Sequence, residues 1–175
     1  SRLQSNDAEL ARYLRTRARA LITNDYESGD ASWVTGRFQR LNVQIGAYET
    51  YDDALYGVKA FHGMSILLAS QKATEELRRA LGSLQAIEDS LPYEQHKRVR
   101  DDIPVGVYHV IVDFGQARGT NTATILPNDP LFSRRYGRTI LLRENIMRHP
   151  DIFASHLAVW RTATADAHRN DLGDD

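Results

Sequence analysis

Glu49, Tyr51 and Asp53 alternate along one short polar run, Glu49-Thr-Tyr-Asp-Asp, set between two stretches of alternating apolar and polar residues. Carboxylates accept hydrogen bonds from ammonium and amide groups, and a phenol both donates and accepts. Held between strands, such a run can offer these side chains to a polar ligand. Asn121 follows Gly119-Thr120, and Asn128 sits in Leu-Pro-Asn-Asp. Each amide presents a donor and an acceptor, so a pair of Asn side chains can hold a peptide backbone or amino terminus. A structural role accounts for the same residues. Glu49, Tyr51 and Asp53 then brace a sheet, and Asn128 with Asp129 forms the turn after Pro127.

Metal chemistry finds no support in the spacing. None of the six histidines, at 62, 96, 109, 149, 156 and 168, stands four residues from another. His149 and His156 would lie about 10 Å apart on a helix, and His109 and Asp113 about 13 Å apart on a strand, too far to share one zinc. His62 reads as a hydrogen-bonded core histidine. With no cysteine, disulfides, thiolate metal sites and a Cys nucleophile are excluded. Asp113-Phe114-Gly115 and His149-Pro150-Asp151 copy tripeptides of kinases and J-domains without the segments that accompany them there. The chain therefore offers no catalytic residue and no metal ligand set of its own.

The elements that must position these residues follow from periodicity. Residues 6–23 read as an amphipathic helix, with Asn6 and Glu9 as a capping box and Ala11, Leu14, Ala18, Leu21 and Ile22 as the inner stripe. Arg12, Arg15, Arg17 and Arg19 then form a solvated face. A loop from Asn24 to Ser32, broken at Gly29, leads to Trp33–Gln39, the expected start of the first strand. From Leu41 to Ala69 the pattern has period two. Leu41, Val43 and Ile45 oppose Asn42 and Gln44, and Tyr56, Val58, Ala60, His62, Met64 and Ile66 oppose Gly57, Lys59, Gly63 and Ser65. A helix over Gln71–Ser90 follows, capped by Ser70, with Ala73, Leu77, Leu81 and Leu84 inward. Val105–Phe114, apolar on both faces and β-branched, reads as a central strand. Thr120–Leu126 and Thr139–Leu142 read as further strands. Pro150 opens a last helix running to Arg169, with Phe153, Leu157, Trp160 and Thr164 on one face. The expected architecture is a single α+β domain over residues 1–175: a mixed, partly barrel-like sheet of about five strands with flanking helices.

A net charge of −1 lacks the basic excess that nucleic acid or an anionic membrane surface requires, which excludes both as partners. No apolar run approaches the ~20 residues of a membrane span. The chain reads as soluble, with cytoplasm and periplasm both open.

Ile45-Gly46-Ala-Tyr-Glu49-Thr-Tyr51-Asp-Asp53, followed by Tyr56-Gly57-Val-Lys-Ala-Phe, resembles the dipeptidyl peptidase III family of zinc metallopeptidases. Gly119-Thr-Asn121, Leu-Pro-Asn128-Asp129 and Thr139-Ile-Leu-Leu-Arg-Glu-Asn145 resemble further segments of that family in the same order. The likeness extends to bacterial relatives, some of which carry a Nudix module. It implies the strand-rich, substrate-binding lobe of a longer two-lobed peptidase, with peptide as the partner and Asn121, Asn128, Glu49 and Tyr51 as substrate contacts. The family's H-E-x-x-x-H or H-E-x-x-G-H motif is expected beyond Asp175. Zinc would then belong to the other lobe, where a zinc-polarised water assisted by a Glu attacks a peptide carbonyl, and these 175 residues alone would be inactive. Where the family has an acidic residue and a tyrosine that help bind the substrate amino terminus, this chain has Asn42 and Gln44. The alternative reading is a non-catalytic module that binds a peptide or small ligand.

Overall fold

The computed structural model describes residues 5–47, 62–115 and 121–168. Glu49, Tyr51, Asp53 and the alternating residues 56–60 lie outside them.

The first helix, α1, spans Ala8–Thr23. Its N-cap is Asp7, one residue beyond the expected Asn6: Asp7 Oδ1 accepts from Leu10 N at 2.9 Å. The other oxygen accepts from Gln39 N at 2.9 Å, tying the helix start to the segment that enters the sheet. An Asn cannot make that second contact with an equivalent carboxylate oxygen, which explains the shift. The buried face is also rotated from the expected stripe. It comprises Leu10, Ala11, Tyr13, Arg17 and Ala20, whereas Leu21 is 40% and Ile22 84% exposed. Tyr13 sets that rotation, because its hydroxyl accepts from Ile45 N at 3.0 Å and so covers the edge of the first strand.

A second helix, α2 (Tyr26–Val34), replaces the expected loop and takes in Trp33. Asp25 caps it through Ser28 N at 3.2 Å. Gly29 does not break the chain here. A Cβ at that position would stand 2.8 Å from Arg17 Nη1, so glycine is needed for close approach. Arg17 itself departs from the solvated face. Its guanidinium is buried and donates through Nη2 to buried Asp30 Oδ1 at 2.5 Å. Arg12, Arg15 and Arg19 remain exposed.

Among the described residues, five strands form one mixed sheet in the order β1-β2-β3-β5-β4: β1 (Leu41–Gly46), β2 (Gly63–Ala69), β3 (Val105–Gly115), β4 (Ala123–Leu126) and β5 (Thr139–Arg143). Only the β3–β5 pairing is parallel. The α+β class holds, and β3 is central as its two apolar faces require. The sheet is open, with β1 and β4 at its edges, rather than closed into a barrel. Strand β1 is buried on both faces, Asn42 and Gln44 included, because α1 and α2 wrap its edge. On β2 the most buried positions are Ser65 and Leu67, the face opposite to the expected Met64 and Ile66. The core joins Leu10, Tyr13 and Trp33 from the helices to Val43, Leu67, Leu126 and Leu141 from the sheet.

The expected helix over Gln71–Ser90 is two helices, α3 (Gln71–Leu81) and α4 (Leu84–Asp89), parted at Gly82-Ser83. Ser70 precedes α3 without a side-chain cap bond. Its backbone N–H instead donates to Val107 O at 2.9 Å, and Thr74 Oγ1 accepts from Val107 N at 2.9 Å. Together they satisfy the stretch of β3 that extends past β2. Helix α5 (Pro130–Tyr136) follows β4. Asp129 caps it, accepting from Leu131 N and Phe132 N at 2.8 and 3.0 Å. A short α6 (Glu144–Met147) leads to α7 (Pro150–Ala163), which stops short of the expected Arg169 and gives way to a 3-10 turn at Asp166–His168.

Candidate functional site

Strands β1, β3 and β5 run in one direction and β2 and β4 in the other. Gly46, Gly63 and Gly115 therefore mark one end of the β1–β2–β3 part, while Ala123 and Arg143 end the β4–β5 part further back, level with Val107 and Tyr108 of β3. Gly46, Gly63 and Gly115 are register partners across three strands. The described chain leaves this end at Ala47 and returns to it at His62, and leaves it again at Gly115 to resume at Asn121. Glu49, Tyr51 and Asp53 belong to the first of those intervening runs and lie outside the described residues.

Asn121 stands exposed just before β4. The neighbouring Thr122 carbonyl accepts from Arg143 N at 2.8 Å, fixing the start of β4 against the end of β5. Asn128 lies past the other end of β4, half-buried between a cis Leu126–Pro127 bond and the Asp129 cap. The structure thus separates the two asparagines by the length of an edge strand. Together they can contact one extended chain but not one small group, since seven residues in extended form span up to about 23 Å.

Sequence reasoning missed a belt of polar side chains across the buried face. Gln44 and Asp113 are both register partners of Ser65, from the strands on either side of β2. Arg143, fully buried, reaches over from β5: Nη1 donates to Asp113 Oδ2 at 2.9 Å and Nη2 to Ser65 Oγ at 2.9 Å. Gln44 Oε1, Asp113 Oδ1, Arg143 Nε and Thr124 Oγ1 are buried with no hydrogen-bond partner among the described residues. Such groups call for a polar partner, because a buried donor or acceptor left unpaired costs about 1–3 kcal/mol. The available signal was a charged residue inside each of two apolar strand patterns, Val-Ile-Val-Asp113 and Ile-Leu-Leu-Arg143. Buried charges of opposite sign are expected to pair.

His62, His109 and the remaining polar motif residues are occupied with the scaffold. His62 is hydrogen-bonded, to Tyr26 Oη at 3.0 Å, but it is exposed rather than in the core. His109 Nε2 meets Glu144 Oε2 at 2.9 Å, across to α6 and away from Asp113. Asn145 accepts from Val110 N at 2.9 Å and donates to Val110 O at 3.0 Å, so its amide continues the β3–β5 ladder beyond the last backbone pair. Asn42 Oδ1 accepts from Trp33 Nε1 at 2.8 Å, and Asn42 Nδ2 donates to Tyr108 Oη at 3.4 Å. Both ends of that amide are committed to the core. No group of three His, Asp or Glu side chains among the described residues is placed to hold a metal ion. Nor is any described helix long and apolar enough to cross a membrane.

No protein-family model matches the chain. It is 31% identical over 140 residues to Nudix hydrolase 3 of Arabidopsis thaliana, a match covering 78% of this chain and 18% of that protein. Solved structures of other proteins share its fold. DPP III from Caldithrix abyssi has a TM-score of 0.72 and 28% identity, over 93% of this chain and 32% of its own. Dipeptidyl-peptidase III from Corallococcus sp. strain EGB has a TM-score of 0.68 and 26% identity, over 95% of this chain and 32% of its own. The fold is therefore that of a part of these DPP III structures, about a third of their length.

Proposed function

We propose that this chain is the peptide-orienting, strand-rich lobe of a zinc-dependent peptidase of the dipeptidyl peptidase III type. The reading rests on the fold it shares with a third of each DPP III structure. Strand β4 supports it. Among the described residues no strand pairs with its outer side, so its free N–H and C=O groups form a template for an extended peptide. Asn121 and Asn128 stand at its two ends, and their amides would add side-chain bonds to such a backbone. Glu49 and Tyr51 are assigned as further substrate contacts on the motif resemblance alone.

The described residues do not fit a zinc ion, for want of three donors gathered in one place. In this reading zinc is bound by the rest of a longer parent protein, in a second lobe. Helix α7 favours such a neighbour: none of its residues is buried, and Phe153 and Val159 are 56% and 65% exposed.

The test compares the longer parent with this chain. About one zinc per parent molecule and release of dipeptides, beside a 175-residue chain that binds peptide but neither zinc nor hydrolyses it, is the expected result. A parent that binds peptide while lacking zinc and hydrolysis would establish the non-catalytic binding module instead. Loss of peptide affinity in a folded Asn121→Ala variant separates binding from bracing.

A further inference from the structure

On the sheet face opposite Leu126 and Leu141, Ile125 of β4 pairs in register with Ile140 of β5. They form part of the floor of an open cavity of about 500 Å³, which Ile103, Pro104 and Pro130 extend. Ile125 is 53% exposed there, an apolar side chain on an edge strand with no cover among the described residues. The cavity rim is basic. Arg100 approaches from the segment before β3, Arg134 from the last turn of α5, and Arg138 from beyond Gly137.

The charged side chains lining this rim are all positive. No carboxylate is among the lining residues. Arg138 Nε donates to Ser133 Oγ at 2.9 Å, which anchors the side chain through a neutral partner. Arg100 and Arg134 make no ion pair among the described residues. The contrast with Arg135 is direct: one residue along the same helix, it pairs with Glu27 Oε1 at 2.5 Å, on α2. Three guanidiniums around one cavity repel each other, and an anion seated between them relieves that repulsion. Guanidinium forks take a carboxylate through paired N–H donors. An apolar floor favours an anion that carries a hydrocarbon body over a small, strongly hydrated one. The volume lies within the usual range of small-molecule sites.

We infer that this cavity is a binding site for a small organic carboxylate with an apolar body, its head on Arg134 and Arg138 and its hydrocarbon against Ile103, Ile125 and Ile140. The site is on the other face of the sheet from the Gln44–Asp113–Arg143 belt and does not depend on the peptidase reading.

Octanoate, octan-1-ol and inorganic phosphate are the probes, titrated calorimetrically into the 175-residue chain. Saturable octanoate binding is expected, with octan-1-ol at least about tenfold weaker for want of the charge-assisted bonds, and no displacement by equimolar phosphate. Arg134→Gln should weaken octanoate about tenfold, and so should Arg138→Gln. The Arg134 side chain is exposed and makes no hydrogen bond or ion pair among the described residues, so circular dichroism should be unchanged in that variant. Should Arg138→Gln disturb α5, Arg134→Gln and Ile125→Gln decide the question. Equal binding of octanoate and octan-1-ol overturns the inference, as does full affinity in Arg134→Gln or Ile125→Gln, or displacement by phosphate.

Discussion

Arg17 and Asp30, thirteen residues apart on consecutive helices, form an ion pair whose side chains are 1% and 2% exposed. Gly29 and Gly46 both leave space for that guanidinium. A Cβ would stand 2.8 Å from Arg17 Nη1 at Gly29 and 3.2 Å from it at Gly46, where φ is +132°. The glycine that closes β1 therefore has a packing reason as well as a conformational one, and α1, α2 and β1 meet at a single buried charge pair.

Removing one partner of such a pair strands a charge in the interior. Asp30→Ala should lower unfolding free energy by about 3–5 kcal/mol, a large share of the ~5–15 kcal/mol typical of a domain. Urea denaturation reads this directly. A loss below about 1 kcal/mol, the scale of a surface pair, would show that the pair is hydrated in solution.

The Arg143 belt should behave in the same way. Asp113→Asn removes the carboxylate facing Arg143 Nη1 and should cost about 3–5 kcal/mol. Ser65→Ala takes away only the neutral acceptor of Nη2 and should cost about 1–3 kcal/mol. The order of the two urea midpoints checks the assignment, which fails if Ser65→Ala is the more damaging.

Asn42 and Asn121 should separate stability from binding. Asn42→Ala leaves the buried Trp33 Nε1 without its acceptor, a loss of about 1–3 kcal/mol in stability. Exposed Asn121 should show the reverse, with less than about 0.5 kcal/mol of stability lost but weaker peptide binding on titration. An Asn121→Ala chain that unfolds would assign that residue a structural role.

Acid should loosen the segment after α4. The Tyr93 phenol, and then the Lys97 backbone N–H, donate to Glu88 Oε1 at 2.6 and 2.8 Å and hold its carboxyl below the ordinary value of 4.5. The folded pKa is the depressed one. The contribution is thus complete above the unfolded value and is lost as pH falls through the folded value. The protection factor of the Lys97 amide should drop in that window below 4.5, and Glu88→Gln should abolish the drop. Equal protection on both sides of the window in the unmodified chain would exclude the mechanism.

Sequence alone determined the elements whose patterns are long and whose chemistry is local. The central strand from Val105 reads correctly because both its faces are apolar, and α7 begins at Pro150 because proline suits a first helical turn. The α+β class and the mixed sheet follow from those signals, and the ordered motifs around Ile45-Gly46 and Asn121 pointed to a fold that the DPP III structures share. Tertiary structure decided where polarity goes. Asn42 and Gln44 look solvent-facing by alternation, yet α1 and α2 wrap the edge of β1 and bury them. Arg17 looks like one of four surface arginines until Asp30, on a helix that reads as a loop, comes to meet it. The Gln44–Ser65–Asp113–Arg143 belt exists only through register between strands distant in the chain. Periodicity reports which face a side chain takes; it carries no information about what the rest of the chain later lays against that face.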